Sequence, residues 1–248
     1  MFKDIRRAFT LGGRGAWVWN DARFLAADIE VDARAANRWL PFGLCATKPG
    51  RATFFIADYP RTSFGSVYRE AAVLLHVRLG LWRGLFCPWM VVDDDTALIL
   101  GRELLGFPKK MAGFTFSATD SEVSASVERR GVKVLEFSGK IGPEEAKPAP
   151  MMARRIFNVW GATGPAALGI QAVVTMKPSE RITVSRRVEL ASARIRGSAE
   201  DPLDELKPGS AVSARFVRMD FARMTDLALP LYPVGPGFLL RNLPLRVL

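Results

Sequence analysis

Residues 90–111 read Met90-Val91-Val92-Asp93-Asp94-Asp95-Thr96-Ala97-Leu98-Ile99-Leu100-Gly101-Arg102-Glu103-Leu104-Leu105-Gly106-Phe107-Pro108-Lys109-Lys110-Met111. Met90 to Val92 is a short apolar run and predicts a buried strand. The three aspartates that follow supply an N-cap and first-turn carboxylates, which satisfy free backbone N–H groups and face the positive end of a helix dipole. Residues 96–104 have helical composition, and Gly106 and Pro108 stop the helix. Two lysines stand beyond the stop, among Phe107, Pro108, Met111 and Phe114. A lysine pair in a loop is ordinarily solvated. One embedded in an apolar run is a candidate for buried amine chemistry.

Outward from this stretch the chain is rich in strand signals. Residues 23–31, 51–59 and 67–79 carry the apolar, aromatic and β-branched residues of strands, and 32–40 reads as a helix opened by Asp32 and ended before Pro41. C-terminal to the lysines, residues 114–118, 122–129 and 132–138 predict a meander with turns at 119–121 and 130–131. Residues 151–159 predict a short helix, and 170–176, 182–195 and 212–220 further strands, the long one bent. Residues 142–150, rich in Pro, Lys and Glu, read as a surface loop. Few helices among many short strands predict a β-rich, antiparallel α+β fold, with residues 1–248 as one domain.

Composition narrows the function. The chain has 248 residues, 49% hydrophobic and 24% charged, enough for a sizeable core. The most apolar stretch, 79–92, is interrupted by Arg83 and is shorter than the ~20 residues a spanning helix needs. No membrane partner is expected. No apolar segment of secretory type follows the charged N-terminus, and two cysteines, Cys45 and Cys87, exclude a disulfide framework or a four-cysteine zinc site. A cytoplasmic setting is the expectation. The net charge is +10, but the 35 basic residues are dispersed, with no nucleic-acid motif. A positive field that draws anionic substrates and a charge that serves only solubility both fit.

Other constellations carry less. His76, the only histidine, lies among Val and Leu and reads as a sheet residue with no second histidine to share a metal. Gly12 to Gly15 and the glycines of 161–169 lack the strand-to-helix context of a phosphate loop. Asp93 to Asp95 read as a solvated helix start rather than a metal site.

The run from Met90 through Gly-Arg-Glu-Leu-Leu-Gly-Phe-Pro-Lys-Lys is similar to the signature of the acetoacetate decarboxylase family. The match is dense from about Pro88 to Phe114 and weaker at Tyr68-Arg69-Glu70 and from Asp28 to Pro41. The resemblance implies a barrel-like antiparallel fold, a homo-oligomer, and a lyase acting on a small keto acid, with no metal and no organic cofactor, since the lysine itself is the electron sink. It assigns Lys109 as the Schiff-base lysine, Lys110 as a pocket-tuning cation and Glu70 as a catalytic residue in acid-base or positioning work near the imine. Arg102 and Glu103 would be a charged pair that fixes the helix end. Two positions depart from the family. Its early-strand arginine falls at Ala22, leaving neighbouring Arg23 as the candidate for the substrate carboxylate. Its second glutamate falls at Phe55. A more apolar pocket follows, with Phe54, Phe55, Trp89, Met90 and Phe107 as lining and a longer keto acid as substrate.

Amine chemistry gives the implied site its physical sense. A free lysine has a pKa of about 10.4, so about one amine in 2,500 is neutral and nucleophilic at pH 7. Burial and a neighbouring cation both favour the neutral form, the established device of acetoacetate decarboxylase. Three readings stay open: decarboxylation of a β-keto acid, aldolase-dehydratase or hydratase chemistry on an α-keto acid such as pyruvate, and non-catalytic binding of an apolar acid.

Overall fold

The computed structural model describes residues 16–160, 172–224 and 229–246. The glycine runs at 12–15 and 161–169 lie outside these residues. Among the described residues fifteen strands are formed: β1 (Ala16–Glu30), β2 (Cys45–Ala46), β3 (Arg51–Tyr59), β4 (Arg61–Thr62), β5 (Tyr68–Leu79), β6 (Trp82–Val92), β7 (Lys109–Met111), β8 (Gly113–Ala118), β9 (Glu122–Arg129), β10 (Val132–Glu144), β11 (Ile156–Trp160), β12 (Ala172–Met176), β13 (Ser179–Ile195), β14 (Ala211–Met224) and β15 (Leu229–Pro233). The same residues form the α-helices α1 (Ala33–Arg38), α2 (Asp95–Leu105) and α3 (Pro236–Arg246).

The strands form one sheet in the order β15-β12-β11-β6-β5-β3-β1-β14-β13-β10-β9-β8, with β2 on β5, β4 on β1 and β7 on β6. Pairing is antiparallel except where β6 meets β11 and β7. One face gathers Leu25, Ile29, Phe54, Val73 and Trp89 together with Val127 of β9 and Phe137 of β10. The β8–β10 arm therefore curls back over the central strands, which gives the expected barrel-like form. The other face gathers Phe24, Phe55, Tyr59, Tyr68, Met90 and Phe107, and α2 packs against it through Ala97 and Leu98.

Sequence chemistry explains the joints. Asp32 caps α1 by accepting from Ala35 N at 2.7 Å, and Asp94 caps α2 by accepting from Ala97 N at 2.7 Å. Gly106 ends α2 with φ +69°, a left-handed conformation that favours glycine. A Cβ there would also lie 2.8 Å from the Val159 carbonyl oxygen, so the turn and the close approach both demand glycine.

Several boundaries differ from the sequence reading. Residues 151–159, expected as a helix, give bends followed by strand β11, because Ile156, Phe157 and Val159 are buried between two apolar layers and pair with β12. Strand β1 begins earlier than expected, at Ala16, and β6 reaches back to Trp82. Strand β10 runs into the expected surface loop as far as Glu144. Helix α3 was not anticipated; its Pro at the first position suits a helix start, where no N–H is needed.

Candidate functional site

Strand β7 is three residues long and lies parallel to β6, with Lys109 beside Met90, Lys110 beside Val91 and Met111 beside Val92. Successive strand residues point to opposite faces. Lys109 therefore shares the face of Met90, Phe55 and Phe107, and Lys110 faces the other core. The expected neighbours Phe54 and Trp89 also belong to that other core and do not line the Lys109 side.

Lys109 Nζ lies 2.7 Å from Glu70 Oε2, and each side chain is only 6% exposed. Glu70 stands on β5, opposite Val92 and two residues from Ala72, which faces Met90. The Tyr59 hydroxyl donates to Glu70 Oε1 at 3.1 Å. The Tyr68 ring lies 5.2 Å from Lys109 Nζ, and the Tyr68 hydroxyl accepts from Trp19 Nε1 at 2.9 Å. Burial, reinforced by the charge of Glu70, pushes both phenols well above the usual tyrosine range. Tyr59 therefore keeps its proton and remains a hydrogen-bond donor to the carboxylate.

Helix α2 fixes the lysine from the other side. The Arg102 guanidinium donates from Nη1 to the Lys109 carbonyl at 3.0 Å, so this arginine of the Gly-Arg-Glu motif holds the backbone that presents the amine. Gly101 leaves room for the lysine stem: a Cβ there would lie 2.4 Å from Lys109 Cε. The carbonyl of Glu103 accepts from Trp160 Nε1 at 2.6 Å, tying the helix end to β11.

Two expected site residues lie elsewhere. Lys110, expected to tune the amine, has Nζ at 2.6 Å from Asp201 Oδ1 and 3.1 Å from the Glu200 carbonyl, on the opposite side of β7. Asp201 also accepts from Trp89 Nε1 at 2.7 Å and lies 3.5 Å from Arg129 Nε. Burial pushes the Lys110 ammonium below its ordinary value, and Asp201 opposes that shift. Arg23, expected to meet a substrate carboxylate, pairs instead with Asp21 at 3.3 Å and Asp58 at 3.7 Å, and its side chain is 40% exposed. Its β1 neighbours Ala22 and Phe24 belong to the Lys109 face, so period-two alternation turns Arg23 away.

The sequence reading passed over Tyr59, Gly101, Asn158 and Asp201. Tyr59 carries no motif of its own, and Gly101 stood in the Gly-Arg-Glu run with no role assigned to it. Tyr68, two residues before Glu70, was legible as a same-face neighbour once β5 was a strand. Asn158 was hidden by the helix expected at 151–159. On β11 its amide is fully buried, with Nδ2 donating to the Leu105 carbonyl at 3.0 Å.

The acetoacetate decarboxylase (ADC) family matches residues 10–229. Acetoacetate decarboxylases of Burkholderia cenocepacia and Burkholderia multivorans are each 28% identical over 120 residues. That match covers 48% of this chain and 48% of each relative, so the matched chain spans about half the length of these curated proteins. Among solved structures, the acetoacetate decarboxylase of Legionella pneumophila superposes with TM-score 0.76 at 16% identity, covering 89% of this chain and 88% of that one. An acetoacetate decarboxylase-like enzyme from Sphingomonas wittichii gives 0.77 at 18% identity, covering 90% and 96%. The enduracididine biosynthesis enzyme MppR complexed with pyruvate gives 0.73 at 16% identity, covering 85% and 89%. At these identities the structural likeness establishes the fold, and the family match over most of the sequence establishes descent: the chain belongs to the acetoacetate decarboxylase family.

Proposed function

We propose that the chain is a Schiff-base-forming lyase that decarboxylates a β-keto acid at Lys109. The observation that carries this reading is the buried Lys109–Glu70 pair at 2.7 Å on an apolar face. Glu70 accepts the ammonium proton, and the neutral amine attacks the ketone carbon. Loss of water gives a protonated imine, an electron sink. The bond to the β-carboxylate breaks, carbon dioxide leaves, and its electron pair forms the enamine. Glu70 returns a proton to the enamine carbon, and water hydrolyses the imine to release ketone and amine. Tyr59 holds the Glu70 carboxylate in place through its hydroxyl. Phe55, Met90 and Phe107 supply the apolar surface, which disfavours the substrate carboxylate relative to neutral carbon dioxide.

A second reading is aldolase-dehydratase or hydratase chemistry on an α-keto acid through the same imine. It is favoured by the likeness to MppR, whose structure holds pyruvate. Borohydride trapping separates the readings. The protein is incubated with acetoacetate, a longer β-keto acid or pyruvate, reduced, digested and weighed peptide by peptide. A Lys109 adduct lost in Lys109→Ala supports the imine mechanism, and release of carbon dioxide from the β-keto acids supports the decarboxylase. A pyruvate adduct without carbon dioxide moves the assignment to the second reading. A folded protein with no adduct in any tube is a binder of apolar acids. Assembly as a homo-oligomer belongs to the same reading and is checked by sedimentation.

A further inference from the structure

Asn158 carries a feature that the imine chemistry does not use. Its side chain is fully buried on β11, between Phe157 and Val159, which face the other core. Alternation therefore sends Asn158 to the face of Ile156, the face that also holds Met90, Phe107 and Lys109. The amide orientation is fixed: Nδ2 donates to the Leu105 carbonyl at 3.0 Å, and a flipped amide would set two oxygens against each other. That leaves Oδ1 buried without a hydrogen-bond partner among the described residues.

The last turn of α2 links this position to the lysine. Leu105 ends α2, and Gly101, four residues earlier in the same helix, touches the Lys109 stem. One helical turn rises about 5.4 Å, so the free acceptor and the lysine flank the last turn of one helix. Phe107, between Leu105 and Lys109 in sequence, lies on this face.

A buried carbonyl oxygen without a donor is destabilising, and a ligand that brings the donor removes that cost. A site with such an acceptor discriminates against an analogue that lacks the donor. We infer that Asn158 is a specificity residue of the Lys109 site, and that the substrate is a keto acid carrying a hydroxyl donor on its chain rather than a plain hydrocarbon tail. The inference rests on the lyase reading above and names the substrate class for that site.

The test uses methyl ketones, which form the same lysine imine without decarboxylating. Pairs are chosen in which one member ends in a hydroxyl and its isostere ends in a methyl group, over several chain lengths. Each is titrated into the full chain and reduced with borohydride, and the concentration for half-maximal Lys109 labelling is read by mass spectrometry. At the matching chain length the hydroxyl-bearing ketone should label at about tenfold lower concentration than its isostere. In Asn158→Leu the order should reverse. Should that variant fail to fold, the ratio in the unsubstituted protein decides alone. Equal labelling of both members at every length overturns this inference and leaves the lyase reading standing. No Lys109 labelling by any ketone overturns both.

Discussion

Replacing Gly101 with alanine tests whether Lys109 is held by packing as tightly as its chemistry requires. The substitution removes an interior helix glycine, which by itself stabilises α2 by about 1 kcal/mol. The new Cβ, however, would lie 2.4 Å from Lys109 Cε, 2.5 Å from Cδ and 3.0 Å from Nζ. An ordinary carbon contact begins near 3.4 Å, so the lysine stem must retreat by about 1 Å. A solvated lysine would swing away at little cost. This one is paired to Glu70 at 2.7 Å under a buried apolar face, and Arg102 holds its carbonyl, so the retreat is taken at the amine. A 1 Å displacement of a reacting group costs on the order of 100-fold in rate. Urea denaturation of Gly101→Ala should therefore give a stability within about 1 kcal/mol of the parent. Borohydride trapping at Lys109 should slow about 100-fold under the same conditions. Trapping within twofold of the parent, in a folded protein, would refute the argument that Gly101 sets the position of the amine.

Four further outcomes follow from the same structure. Glu70→Gln keeps the shape of the side chain but not the base, and should slow trapping at Lys109 by about 100-fold at neutral pH, measured by quenched-flow labelling. Asp201→Ala leaves Lys110 and Arg129 buried beside a missing carboxylate and should cost about 3–5 kcal/mol in urea denaturation. Lys110→Met should cost less, because Asp201 keeps Trp89 and Arg129. His76 governs an acid limb of stability. Burial, with Arg154 nearby, lowers its pKa from 6.5 to about 4, so the folded state holds the ring neutral where the unfolded chain has taken a proton. Stability should be unaffected by this group above pH 6.5, fall as pH drops from 6.5 to about 4, and level off below that. The loss attributable to His76 is about 3 kcal/mol, and His76→Gln should flatten that window in pH-dependent denaturation.

The signature stretch was legible because every residue in it has one local job. Asp94 caps, Gly106 turns, and Lys109 follows at the strand that the turn delivers. Lys109 and Glu70 were found by resemblance, and the 2.7 Å contact between them joins parts of the chain that no local pattern connects. Arg23 misled because proximity in sequence is not proximity on a sheet: one residue along β1 is the other face. The Trp19-to-Ala22 irregularity of β1, with Asp21 at φ 56°, shifts its register against β14 and could not be read from composition. Strand β11 was missed because a short apolar run fits a buried helix as well as a doubly buried strand. What separates them is the partner strand β12, and a single segment does not carry its partner's position. That one error also hid Asn158.

The two lysines of β7 have a consequence for errors of threading. A three-residue strand that slides by one position inverts every side chain, and in most sequences that exchanges a functional group for an inert one. Here a slide that brings Lys110 to the place of Lys109 would replace one primary amine with another. The head group survives, so identity alone does not mark which lysine belongs in the reaction. The distinction is made by the surroundings: Asp201 waits for one lysine and Glu70 for the other, while Arg102 and Gly106 fix where the strand begins. Chemistry in β7 is thus assigned by address, and variants that loosen the address should exchange the labelled lysine before they abolish labelling.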